Sequence, residues 1–173
     1  MPLSSDYVNS VAEVAKNNSI LVHVDGARIF NAAVSLDTSV AELTHEIDSV
    51  SFCLSKGLSA PAGSLLCGSE DFIYRARRNR KALGGGMRQA GILAAAGIIA
   101  LENMTERIED DHQNARALAE GISDIKGISI DLDKIQTNII YFSLDHPKIE
   151  SSLFLDKMCE KNIHFFELGP SWF

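Results

Sequence analysis

The sequence predicts an α/β fold with a largely parallel sheet over residues 1–110, followed by a smaller α+β unit over residues 111–173. Three observations carry this. An amphipathic helical segment near the start feeds directly into the apolar run ILVHV, and helix-then-strand units build parallel sheets. A second apolar run, SVSFCL, follows a helical stretch and ends at Ser55-Lys56-Gly57. Past residue 126 the chain changes character, with three short strand-like runs and a helical segment.

Taken in order, Ser4 and Ser5 can cap a helix over 6–16, whose apolar face is Val8, Val11, Ala12 and Ala15. Asn17-Asn18 stops it. Residues 20–24 read as a buried strand that ends at Asp25-Gly26. ARIFNAAV and SVAELTHEI are short helical pieces, and 49–54 is the next strand. In the loop 56–61, Gly57 and Pro61 turn the chain so that AGSLLCG can return as a strand. So short a connection permits an antiparallel return and forbids a parallel one. A helix over 71–83 carries the basic run YRARRNRK and ends at Gly84-Gly85-Gly86. Residues 89–121 are helical, with a break near Asn103-Met104. GISIDL, NIIYFSL and IHFFEL are strands, and 149–161 is a helix between the last two. Trp172-Phe173 is an exposed aromatic pair. Neither end resembles a finished domain edge, so the chain is expected to be a fragment of something longer.

A net charge of −7 disfavours nucleic acid and anionic membranes as partners. No apolar run is long enough to span a bilayer, and no secretory signal opens the chain. Cys53, Cys67 and Cys159 lack metal-site spacing and suggest no disulfide framework, which points to a reducing, cytoplasmic compartment.

Asp25 and Lys56 each follow the carboxyl end of an apolar strand, the edge where open α/β sheets bind ligands. One reading makes Asp25 a helix cap and Lys56 a solvated strand end. The other makes them a cofactor pair. Pyridoxal phosphate needs a lysine for its aldehyde and a carboxylate to keep its ring nitrogen protonated. Arg28 either clamps a substrate carboxylate or forms an ion pair with Asp25. His23 shares a strand face with Asp25 and reads as a packed, hydrogen-bonded residue. The basic run is a solvated helix face or an anion site, with Lys81 at its end and Arg88 just past the glycines. No histidine has partners at metal-ligand spacing, and Ser55 and Ser64 lack a hydrolase pattern.

HVDGARIFNA, SFCLSKGLSAPAGSLLCG and RKALGGGMRQAGILAAAGIIAL, in that order and spacing, resemble the low-specificity threonine aldolases of the fold-type I pyridoxal-phosphate family. The resemblance spans most of residues 1–122. It implies part of a three-layer αβα large domain with an incomplete sheet, plus part of a small C-terminal domain. It implies that Lys56 binds the cofactor's aldehyde and Asp25 its pyridine nitrogen, and that Arg28 lies near the cofactor and holds the substrate carboxylate. It implies that Lys81 and Arg88 approach the cofactor phosphate of a neighbouring subunit in a homodimer or homotetramer. The implied reaction is cleavage of threonine or allo-threonine to glycine and an aldehyde, a step of threonine catabolism and glycine biosynthesis. Another fold-type I reaction, β-elimination or transamination, would use the same lysine and aspartate. The family's glycine-rich phosphate loop, its ring-stacking histidine and a further carboxylate-binding arginine have no counterpart here. The isolated chain is therefore expected to be inactive, or a non-catalytic truncated form.

Overall fold

The computed structural model describes residues 1–146 and 149–173. Their Cα positions fall into two compact units, Pro2–Asp110 and Asp111–Phe173.

The first unit opens with α1, Ser5–Asn17, whose N-cap Ser4 accepts a hydrogen bond from the Tyr7 N–H. It leads to β1, His23–Asp25. The helices α2, Ile29–Ser35, and α3, Val40–Leu43, carry the chain across to β2, Ser49–Cys53. β1 and β2 are parallel, with His23 opposite Ser49 and Asp25 opposite Ser51. β3, Ser64–Gly68, returns antiparallel to β2, with Cys53 opposite Ser64. The sheet order β1-β2-β3 puts β2 in the centre.

The first strand differs from its expectation. Pairing begins at His23 rather than residue 20, and Ile20 and Leu21 are 62% and 80% exposed. The cause is β2, whose pairing starts at Ser49. Just before it, Asp48 Oδ2 takes the Val22 N–H at 2.7 Å. Residues 20 and 21 thus lie beyond the paired register.

One core lies under the sheet. Val50, Phe52 and Leu54 pack with Ile29, Ala33, Leu43, Leu58 and Ala60. Phe30 meets Phe52 edge-to-face at 5.3 Å. Because side chains alternate along a strand, the opposite sheet face carries His23, Asp25, Ser49 and Ser51.

α4, Glu70–Ala82, starts at Ser69, whose Oγ accepts from the Phe72 N–H at 3.3 Å. Ser69→Ala should lower stability by about 1 kcal/mol, read as a shifted denaturant midpoint at unchanged slope. At its end the Gly85 N–H donates to the Arg80 carbonyl and the Gly84 N–H to that of Lys81. Gly84 takes a φ of +87°, so this is a Schellman stop that needs glycine. α5, Gly91–Ile99, passes into a π turn at Ala100–Met104 and a 3-10 turn at Thr105–Arg107, the expected break.

α6, Ile108–Ser123, leads into the second unit. There β4, Ile128–Ile130, pairs antiparallel with β5, Phe142–Leu144, and α7 spans Ser151–Cys159. Two expectations are corrected here. Residues 163–168 form no strand, and Phe173 is 4% exposed rather than open. Phe173 exchanges backbone hydrogen bonds with Phe142, and its ring joins Phe142, Phe154 and Phe165 in one cluster. Phe165 serves this core as a packed side chain, and burying that ring does not require ladder pairing. Trp172 is exposed, as expected.

Candidate active site

The parallel pairing of β1 with β2 places two chemically distinct groups on one edge of the sheet. Asp25 is the last residue of β1, and Lys56 lies three positions past the end of β2. Both are exposed. The Gly26 N–H donates to the Ser51 carbonyl at 2.8 Å, so the chain leaves β1 still pinned to β2. Arg28 is the N-cap residue of α2 and is exposed at the same turn. Among the described residues, no ion pair engages Asp25, Arg28 or Lys56. The Asp25–Arg28 ion pair open from the sequence is therefore not formed.

The turn that bears Lys56 is tied down on several sides. The Leu54 N–H donates to Gly63 O, the Ala60 N–H to Leu54 O and the Ser59 N–H to Lys56 O, each at 2.9 Å. Leu58 is 2% exposed and enters the core, and Ala60 is buried. The reversal itself uses Ser59 and Gly63, with φ of +59° and +115°. Gly57 has no left-handed φ, contrary to the turning role expected of it. Its constraint is steric: a Cβ there would stand 2.5 Å from Asn31 Oδ1. Asn31, on α2, is 2% exposed and was not singled out from the sequence. Its signal was available only as an asparagine at a core-facing helical position.

His23 is hydrogen-bonded, as expected, but exposed rather than packed. Its Nδ1 is 2.9 Å from Ser49 Oγ and its Nε2 is 3.4 Å from Ser51 Oγ. Lys81 and Arg88 are exposed on either side of the glycine turn after α4. The Lys81 side chain folds back over Gly86, where a Cβ would collide with it. These two residues thus flank one turn, away in sequence from Asp25 and Lys56. An open cleft lined by Glu13, Lys16, Ile20, His45 and Asp48 lies at the amino ends of β1 and β2, opposite the edge that bears Lys56. Among the described residues no cluster of three metal-ligating side chains occurs, and no helix is long and apolar enough to cross a membrane.

The donor set fits pyridoxal phosphate in its chemistry: an amine and a carboxylate, both accessible and uncommitted to ion pairs, at the ligand-binding edge of an α/β sheet. The chain shares the fold-type I fold of its structural neighbours. A threonine aldolase from Leishmania major superposes with a TM-score of 0.72 at 14% identity, over 97% of this chain and 48% of that one. A protein from Exiguobacterium sp. 255-15, provisionally named as an aromatic amino acid beta-eliminating lyase/threonine aldolase, gives 0.84 at 21% identity, over 99% and 50%. At these identities the likeness concerns the fold.

The chain belongs to the beta-eliminating lyase family, whose model matches residues 1–145. Members of this family are pyridoxal-phosphate-dependent. The chain is similar to the probable low-specificity L-threonine aldolase 2 of Arabidopsis thaliana, 48% identical over 84% of this chain and 41% of the relative. It is 46% identical to the low specificity L-threonine aldolase of Escherichia coli strain K12, over 80% of this chain and 41% of that one. The chain thus spans less than half the length of these relatives.

Proposed function

We propose that the protein containing this chain is a pyridoxal-phosphate-dependent lyase that cleaves β-hydroxy-α-amino acids of the threonine and allo-threonine type to glycine and an aldehyde. The observation that carries this is the placement of Asp25 and Lys56 at the carboxyl ends of neighbouring parallel strands. The names of the relatives from Arabidopsis and Escherichia coli support the substrate class.

When bound, the cofactor supplies an electron sink for the carbanion at Cα. In this reading the Lys56 amine holds its aldehyde. The Asp25 carboxylate keeps a proton on its ring nitrogen. The Arg28 guanidinium orients the substrate carboxylate by a two-pronged hydrogen bond. Lys81 and Arg88, exposed around the glycine turn, present cations to the cofactor phosphate of an adjoining subunit in a dimer or tetramer. A cytoplasmic location and a part in threonine catabolism and glycine supply belong to the same reading.

The test is product analysis: the full-length holoprotein should release glycine and acetaldehyde from allo-threonine. The family's name favours one further reading, β-elimination. Under it, serine would yield pyruvate and allo-threonine no glycine. Asp25→Asn should lower cleavage by roughly a hundredfold, the scale of a lost charge-assisted hydrogen bond of about 3 kcal/mol. Steady-state kinetics at saturating cofactor checks it. Unchanged kcat in that variant would remove Asp25 from the site.

A further inference from the structure

We propose that Asn31 is a positioning residue for Lys56: its buried side chain sets the height of the Lys56-Gly57 turn over α2, and with it the reach of the lysine amine. The inference rests on the reading of Lys56 as the cofactor-binding lysine.

The Lys56 turn is fixed on most sides by its own backbone and by Leu58. Its remaining support is α2. There the turn meets a polar group, because Asn31 lies so close under Gly57 that even one methyl group on Gly57 would overlap Oδ1. Cγ and Nδ2 of Asn31 would each be 3.3 Å from that methyl. Asn31 is among the largest fully buried side chains and has interactions of its own, so it has little room to yield. A packed leucine would fill space equally well. Burying an amide is costly unless its hydrogen bonds fix it, and fixed amides hold a geometry that apolar contacts leave loose.

The second half of the argument is connectivity. α2 starts at Ile29, directly after the Asp25–Arg28 turn. Asn31 in its first turn therefore joins, through one rigid helix, the segment bearing the carboxylate and the segment bearing the amine. A shift of the Lys56 turn relative to α2 is a shift of Lys56 relative to Asp25 and Arg28. Misplacing a reacting group by about 1 Å costs on the order of a hundredfold in rate.

The experiment compares Asn31→Ala, Gly57→Ala and their double variant as full-length holoproteins. Each is measured for thermal stability, for kcat and KM, and for the pH midpoint of the bound cofactor's visible band. Borohydride trapping with peptide mapping follows cofactor attachment at Lys56. Both single variants should lose about tenfold to a hundredfold in kcat at KM within a factor of two, with a displaced pH midpoint. In the double variant the new methyl occupies the space vacated by the amide. It should recover stability relative to Gly57→Ala and leave kcat low, which a purely structural asparagine would not do. Recovery of kcat together with stability overturns the proposal, as does an unchanged kcat and pH midpoint in Asn31→Ala. Should Asn31→Ala not fold, Gly57→Ala decides alone: wild-type kcat there overturns it. If the unmodified protein gives no trapped adduct at Lys56, the reading of Lys56 fails and takes this inference with it. If that adduct forms and the variants leave it unperturbed, only the role of Asn31 falls.

Discussion

Lys56→Ala is expected to abolish covalent attachment of pyridoxal phosphate and to lower aldol cleavage by on the order of a thousandfold or more, the scale seen when a covalent catalytic group is removed. The fold should be indifferent. Lys56 is exposed, and among the described residues it forms no ion pair. Substitutions at such positions shift stability by about 0.5 kcal/mol or less. The turn around it is closed by backbone bonds and by Leu58, none of which alanine at position 56 removes. Two measurements check this together. Thermal unfolding should match the parent within about 0.5 kcal/mol of stability. Borohydride treatment should abolish the visible band of the parent and, after a denaturing wash, leave a colourless pyridoxyl adduct on it, detected by mass, and none on the variant. Undiminished glycine release by the variant would sink the assignment. A retained adduct mapped to another lysine would move the site there.

The edge that bears Lys56 was legible in the sequence because its signals are local. An apolar run that stops at Ser-Lys-Gly, and a loop too short for a crossover, together define β2, the turn and the antiparallel β3. The helix stop at Gly84 was legible for the same reason, since a left-handed φ is a property of single residues. Features set by distant pairing were not. Ile20 and Leu21 have the composition of a buried strand, yet the register of β2 leaves them unpaired. Phe165 and Phe173 look like strand and surface residues until the aromatic cluster around Phe142 gives them a place. Gly57 is the instructive case. The sequence suggests conformational freedom as the reason for it, whereas its constraint is a side chain 26 positions earlier in the chain, Asn31.

These cases bear on how the candidate site works. The candidate site residues, Asp25, Arg28 and Lys56, are exposed, whereas Asn31 and Leu58, the side chains proposed to place them, are buried. Exposure leaves the first set free to meet a ligand. Burial makes the second set respond to volume changes of a single methylene. Position and reactivity are thus separable by mutation, and the separation is sharpest at Leu58.

Leu58→Ala should therefore do two things that Lys56→Ala does not. Leu58 is 2% exposed and packs in the cluster formed by Val50, Phe52, Leu54 and Ala60. Truncating a buried leucine costs about 2–5 kcal/mol, depending on how far the surroundings collapse into the cavity. That is a large share of the roughly 5–15 kcal/mol available to a folded domain. Collapse is limited here, because β2 and the backbone bonds from Leu54 to Ala60 and Gly63 hold the walls of the site in place. The loss should thus fall in the upper half of that range. Leu58 is also the only fully buried side chain between Lys56 and Ala60, so its loss frees the turn that aims the amine. Trapping of cofactor at Lys56 should slow measurably under conditions where the variant is still folded. Leu58→Met, which keeps the volume, should cost less than about 1.5 kcal/mol and leave trapping near the parent rate. Denaturant titration and the trapping time course read the two effects independently. A destabilised Leu58→Ala that traps cofactor at the parent rate would show that the backbone bonds alone aim Lys56, and that the core beneath the turn contributes stability without contributing position.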